Sequence, residues 1–290
     1  MKVTLSRRWL LKQMVLAPVG LALPWGEVSS RERSESFRLG LTPVILDEQI
    51  QLLQGWRDDL AVRLQRPVEM LRRTSYEEIV GLLRGGGLDA AWLCGYPYVV
   101  HGDDLRLVAA PVHRGRTLYR SYIISRRPGE GLISLQHQVF AFADPDSNSG
   151  WLYPNYRLVE AGHDPLSFFQ RTFFTWSHRK VIHAVASGLA DGGAVDGYVY
   201  ETLRCHEPDW FQGIHIVERS PAFGFPPLVA AGALDEKTVR LFRQALVGMH
   251  RDEEGRRILE ALSLDRFREV DRSHYDAIRR MAVRVEAALQ

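Results

Sequence analysis

Hydrophobic and polar positions along the chain alternate between two periods. Phe37 to Thr42 is a short apolar-rich run closed by Pro43 and reads as a buried first strand. From Asp47 onward Ile50, Leu53, Trp56, Leu60 and Leu64 recur every three or four positions, which predicts an amphipathic helix. Pro67 to Leu71 reads as a second strand. Ser75 stands three residues before Glu78, a capping-box spacing, and predicts a helix that stops at Gly85-Gly86-Gly87. Leu88 to Leu93 and Leu105 to Pro111 read as strands three and four. Strands separated by helix-length segments predict parallel βαβ units.

A basic segment, Arg114 to Arg127, interrupts this pattern, and its interleaved arginines and tyrosines read as a solvated hinge strand. The alternation then restarts. Val139 to Ala143, Arg171 to Phe174, Gly192 to Asp196 and Ile214 to Glu218 read as strands, with helices opening at Ser149, Ser177 and Gly197. After Pro226-Pro227 come a strand at Leu228 to Ala231 and helices over Asp235–His250, Asp252–Leu262 and His274–Leu289. No sequence repeat accompanies the doubling, so it is architectural. The expected fold is α/β, two α/β lobes with a hinge and a ligand cleft: 37–115 plus 220–290 as lobe 1 and 116–219 as lobe 2.

The first thirty residues read differently. Ser6-Arg7-Arg8-Trp9-Leu10-Leu11-Lys12 precedes an apolar stretch from Met14 to Trp25 that is too short to span a bilayer. Paired arginines in this setting resemble a twin-arginine export signal over 1–30; the alternative is a buried amphipathic helix with a basic start. Without residues 1–30 the chain has 33 basic against 34 acidic residues, net −1. That balance gives no case for a nucleic-acid surface. Two cysteines, Cys94 and Cys205, are too few for a disulfide framework, and the histidines lack HExxH-type spacing, so no metal and no cofactor is expected. A Cys94–Cys205 pairing stays open, because sequence cannot place the two within bonding distance.

Ligands of open α/β sheets bind beyond the carboxyl ends of strands, where helix N-termini present free N–H groups. Here those junctions carry small polar or aromatic residues: Thr42, then Ser75 and Tyr76, then Cys94, Gly95 and Tyr96 in the first half. The second half offers Ser147, Asn148 and Ser149, then His178, then Asp196 and Tyr198. Each hydroxyl alone could simply cap its helix. One exposed helix end offers an anion only about 0.3–1 kcal/mol, whereas micromolar binding needs about 8 kcal/mol. Several donors must therefore converge with water excluded, which implies a hinged trap for a small oxyanion.

Three motifs in order carry a resemblance. Ser75-Tyr76 with the following helix and Leu88-Asp89-Ala90-Ala91-Trp92-Leu93, then Asp144 to Pro154, then Ser177-His178 with Ser187-Gly188-Leu189-Ala190-Asp191, resemble elements of the phosphonate-binding periplasmic family. The resemblance covers about residues 37–275. It implies a type II periplasmic-binding-protein fold and a monomeric, periplasmic solute-binding protein that captures without turnover. The ligand would be a phosphonate-, phosphite-, phosphate- or arsenite-type oxyanion, and the partner an ABC permease or a sensor histidine kinase. It also implies Tyr76, Ser147-Asn148-Ser149 and His178 as ligand groups. A charged His178 would make affinity fall as pH rises through its pKa.

Two departures stand out. Cys94 occupies a position where relatives carry a small residue. A thiol at a helix N-terminus has a lowered pKa and is a soft ligand, and the resemblance extends to an arsenite-sensing branch of the family that uses a cleft cysteine, which implies arsenite as a specific expectation; its alternative is a small buried turn residue. Whether Asp196 faces the cleft, as an acid would to meet an aminoalkyl group, stays open. An enzyme using Cys94 with His178 as base and a regulator's effector domain are the remaining alternatives.

Overall fold

The computed structural model describes residues 36–42 and 50–290. The export-signal reading of 1–30 and the helix opening at Asp47 lie outside the described residues. The elements are β1 (Phe37–Leu41), α1 (Ile50–Leu64), β2 (Val68–Arg72), α2 (Tyr76–Arg84), β3 (Ala90–Trp92), α3 (Gly95–Val100), β4 (Leu105–Val112), β5 (Leu118–Tyr119) and β6 (Ser121–Ser125). There follow β7 (Val139–Phe142), α4 (Tyr153–Glu160), β8 (Arg171–Phe174), α5 (His178–Ala186), β9 (Gly192–Asp196), α6 (Gly197–His206), β10 (His215–Arg219), β11 (Phe223–Gly224) and β12 (Leu228–Ala231). The chain closes with α7 (Glu236–Gly248), α8 (Glu253–Ala261), β13 (Arg266–Arg268) and α9 (Asp276–Leu289).

Two sheets result. One runs β13-β4-β12-β3-β1-β2 and the other β10-β6-β9-β7-β8. In the first, β1 is parallel to β2 and β3, and β12 is inserted antiparallel between β3 and β4. In the second, β7 is parallel to β8 and β9, whereas β6 is antiparallel to β9 and β10. The parallel strands are those whose βαβ spacing was legible in the sequence.

Burial follows the pattern that predicted the elements. Trp56, Leu60 and Leu64 form the inner stripe of α1, and Trp56 packs against Trp92 and Phe267. The second sheet has its own aromatic cluster at Phe140, Phe142 and Phe169. Ser75 caps α2 as its spacing requires, accepting the Glu78 N–H at 3.2 Å, and Gly86 takes φ +69° beyond the last turn.

The chain passes between the sheets along 116–121 and 219–225. These segments pair as β5 with β11, and the Ser121 N–H donates to Ser220 Oγ at 2.8 Å while the Ser220 N–H donates to Ser121 O at 2.9 Å. The basic segment is therefore only partly solvated. Ser121, Ile123, Ile124 and Ser125 are buried in β6, an interior strand, while Arg120, Arg126 and Arg127 are exposed. Charge obscured a period-two alternation over 119–123, in which Tyr119, Ser121 and Ile123 are buried, before both faces become buried at Ile124 and Ser125.

Candidate functional site

The strand ends of both sheets converge on one enclosed group of polar side chains. The loop after β7 starts the construction. Asp144 accepts the Asp146 N–H at 2.7 Å, and Ser147 Oγ accepts the Gly150 N–H at 2.9 Å. A single wide helical turn, Asn148–Leu152, then leads into α4, whose second residue is Pro154. Gly150 makes this turn possible. A Cβ there would lie 2.4 Å from Ala143 Cβ and 3.1 Å from His178 Cε1, well inside contact distance. The loop is thus pressed onto β7 and α5, and Ser147, Asn148 and Ser149 are all buried.

β9 and α5 supply the next groups. Asp196 caps α6, with Oδ1 accepting the Tyr198 and Val199 N–H groups at 2.7 and 3.2 Å. Its own N–H donates to His178 Nδ1 at 3.1 Å, which leaves the imidazole proton on Nε2. From the first sheet, the Tyr76 N–H donates to Asp144 Oδ2 at 3.3 Å, and Cys94 Sγ accepts the Asn148 N–H at 3.2 Å. Tyr96 stacks on Trp151 with ring centroids 6.0 Å apart. On the opposite flank the Tyr198 hydroxyl donates to Leu262 O. These contacts bridge the two sheets and enclose the site between them.

Four buried polar atoms of this group have no hydrogen-bond partner: Tyr76 OH, Asn148 Oδ1, Ser149 Oγ and Asp196 Oδ2. Leaving such an atom unpaired away from water costs about 1–3 kcal/mol, so four together mark a place prepared for a polar guest. None of the buried groups just named is a lysine or arginine. Burial instead pushes the Asp196 carboxyl up to about 7, against the lowering effect of its two N–H bonds. Burial likewise raises Asp144 to about 6. Near neutrality, then, Asp196 can hold a proton and act as a donor.

Two expectations change here. Burial drives His178 down to about 3, so it is neutral and cannot supply the positive charge expected of it. Burial also pushes the Cys94 thiol up to about 12, outweighing its position at the start of the six-residue α3. Cys94 is buried, Cys205 is exposed, and both are free.

Of the residues singled out from sequence, Tyr76, Cys94, Asn148, Ser149, His178 and Asp196 belong to this buried cluster, with Ser147 shaping the loop. Others spend their groups locally. Thr42 donates its hydroxyl to Trp92 O at 3.0 Å, and Ser75 is engaged in capping. Gly95 faces α9, where a Cβ would meet Ile278 Cδ1 at 2.6 Å. Two residues were missed. Tyr119 OH accepts a hydrogen bond from Asn148 Nδ2 at 2.8 Å, and Ser121 Oγ donates to Ser149 O at 2.6 Å. Both lie in the basic segment, where the alternation that would have revealed them was masked by arginines. Among the described residues no group of His, Cys, Asp and Glu could hold a metal ion.

Comparison with known proteins places this architecture. The chain is 28% identical to the phosphate-import protein PhnD of Mycolicibacterium smegmatis over 151 residues, 47% of each chain. It spans about half the length of the curated relatives it matches. A binding-protein component of a Pseudomonas aeruginosa ABC phosphonate transporter superimposes with TM-score 0.80 at 20% identity, covering 88% of this chain and 87% of that one. PhnD1 of Prochlorococcus marinus, solved with methylphosphonate, gives TM-score 0.77 at 20% identity over 87% and 98% of the two chains. These likenesses show the periplasmic-binding-protein fold. Over residues 39–275 the sequence matches the family described as ABC transporter, phosphonate, periplasmic substrate-binding protein, and the chain belongs to that family.

Proposed function

We propose that the protein is a periplasmic solute-binding protein that closes on a small tetrahedral or pyramidal oxyanion and delivers it to an ABC permease, binding without turnover. The observation that carries this reading is the set of four unpartnered atoms, Tyr76 OH, Ser149 Oγ, Asn148 Oδ1 and Asp196 Oδ2, in one buried polar cluster. Two hydroxyls and a protonated carboxyl can donate, while Asn148 Oδ1 can only accept. That mixture suits an oxyanion retaining one P–OH, such as a phosphonate or phosphite monoanion or a phosphate dianion. The phosphate-import and methylphosphonate-bound relatives support the same ligand class.

The moving bodies are 37–115 with 220–290 and 116–219, and the protein acts as a monomer. In support, β1–β4, β12 and β13 fall in the first body and β6–β10 in the second. Residues 1–30 are read as a twin-arginine-like export signal on their Arg7-Arg8 pair and short apolar core.

A titration of the protein lacking 1–30 with methylphosphonate, phosphite and phosphate, followed by tryptophan fluorescence, tests the reading. Trp151 stacks on Tyr96 across the cleft and should report closure. Absence of saturable binding for all three would overturn it.

A second reading is arsenite capture through Cys94, signalling to a sensor histidine kinase. It is favoured by the position of Cys94 Sγ against the Asn148 N–H inside the same volume, and opposed by burial that keeps the thiol protonated. Arsenite binding lost in Cys94→Ser would support it; arsenite binding unchanged in Cys94→Ser would eliminate it.

A further inference from the structure

The enclosed group contains no cation, and Asp144 and Asp196 both lie within it. The chain without its first thirty residues is net −1. An anion therefore gains nothing from overall charge as it approaches, and rapid capture requires local focusing.

Immediately outside the group lies a cavity of about 340 Å³. Tyr119, Gly197 and Tyr198 form its inner wall, and these residues also bound the enclosed site. The outer wall carries His113, Arg114, Arg116 and Arg120. Arg120 donates to Ser220 O on the facing hinge segment. Among the described residues the Arg114 and Arg116 side chains have no ion-pair or hydrogen-bond partner. The one acid in the cavity, Glu201, is engaged by the Tyr122 hydroxyl at 3.2 Å and paired with Arg204 at 3.0 Å. The cavity is thus positive, and Arg114 and Arg116 are uncommitted.

The backbone supplies an independent indication. Arg114 and Gly115 have φ of +50° and +77° and form a two-residue turn closed by hydrogen bonds in both directions between His113 and Arg116. Glycine, asparagine or aspartate normally occupies such positions, because a long L side chain is strained there. The turn is pinned by the Gly115 N–H donating to Asp265 Oδ2 at 2.6 Å, and by His113 Nδ1 bonded to Ser263 O at 2.6 Å. His113 also rests edge-on to Tyr198, with centroids 5.2 Å apart. A strained arginine held in place by two anchors, beside the site wall, points to a function for its charge.

We propose that this cavity is an electropositive vestibule in which Arg114 and Arg116 first collect the oxyanion, before it passes the Tyr119–Tyr198 wall into the enclosed site. The inference rests on the oxyanion reading of the cleft. Such a vestibule acts on association and leaves the closed complex untouched, because its groups do not line the final site.

Stopped-flow tryptophan fluorescence with methylphosphonate, phosphite and phosphate, at ionic strengths from about 10 to 300 mM, tests it. Arg114→Glu with Arg116→Glu should slow association about tenfold, flatten its salt dependence and change dissociation less than twofold. The neutral pair Arg114→Gln with Arg116→Gln should fall between. Reversing the exposed pair Arg126 and Arg127 to Glu should leave association unchanged. Unaltered association and salt dependence in the Arg114/Arg116 variants, with ligand still bound, would overturn the vestibule alone. An equal fall in the Arg126/Arg127 variant would overturn its locality. Absence of binding by the unsubstituted protein is a different result, and it would overturn the cleft reading itself.

Discussion

Thr42 and Ser75 at strand ends of the first sheet, and Ser149 and one oxygen of Asp196 at strand ends of the second, are similar small polar groups used in opposite ways. In the first sheet Thr42 gives its hydroxyl to a carbonyl and Ser75 caps α2. In the second, Ser149 Oγ and Asp196 Oδ2 are buried without partners. Residue type does not separate the two cases. What separates them is whether a backbone group lies within reach. A regular strand-to-helix turn brings the third N–H of the helix onto the hydroxyl, as at Ser75. The wide turn at Asn148–Leu152 lets Ser147 take the capping bond and leaves Ser149 free. A ligand site is built where local geometry fails to consume its own donors.

The largest expected effect that sharpens this contrast is Gly150→Val. Its side chain would collide with Ala143 Cβ at 2.4 Å and lift the loop from β7. We expect oxyanion affinity to fall more than about 100-fold, read by calorimetric titration. Next come Tyr76→Phe and Ser149→Ala, each removing one buried donor. Hydrogen bonds to charged groups are worth about 1.5–3 kcal/mol, so each should weaken binding roughly 10- to 100-fold with little change in melting temperature. Retained affinity in both would break the contrast.

Asp196→Asn should act through pH. In the unsubstituted protein Asp196 donates while protonated and repels an anion once ionised, so affinity should fall as pH rises through about 7. The substitution should remove that part of the profile, leaving the ligand's own ionisation and the titration of Asp144 near 6. His178→Gln should leave its shape intact, since His178 is already neutral above about 3. Stability carries the same signature. The folded pKa of Asp196 is raised, so its contribution is full below the ordinary carboxylate range and is lost as pH rises through about 7. The folded pKa of His178 is lowered, so its contribution is full above 6.5 and is lost as pH falls toward about 3. Urea denaturation of Asp196→Asn should show its largest stability gain at pH 8 rather than pH 5.

The smallest effect belongs to the capping side of the contrast. Ser75→Ala should lower stability by about 1 kcal/mol and shift affinity less than twofold. A large affinity loss there would mean that capping and ligand groups were misassigned.

Much of the fold was legible because βαβ units announce themselves by period and by caps. Ser75 with Glu78, and the 3.6-residue stripe through Trp56, Leu60 and Leu64, are local signals that the tertiary structure merely uses. β6 was hidden because arginines flank its buried residues, and β13 because three residues are too few for a pattern. The convergence of Tyr76 and Ser149 could be inferred from strand-end placement, while the orientation of Asp196 and the protonation of His178 and Cys94 could not. Both protonation states depend on complete desolvation, a property of the closed arrangement and not of any sequence neighbour.

The placement of β12 bears on how the molecule is made. Residues 228–231 are interleaved between β3 and β4, so the six-stranded sheet has a gap at its centre until synthesis has passed residue 231. The five-stranded sheet draws on one uninterrupted stretch, residues 121–219, and can assemble earlier on the ribosome. The amino-terminal half must therefore wait for its late strands, β12 and β13, with β3 presenting one unpaired edge and β4 two to any chaperone that meets the nascent chain.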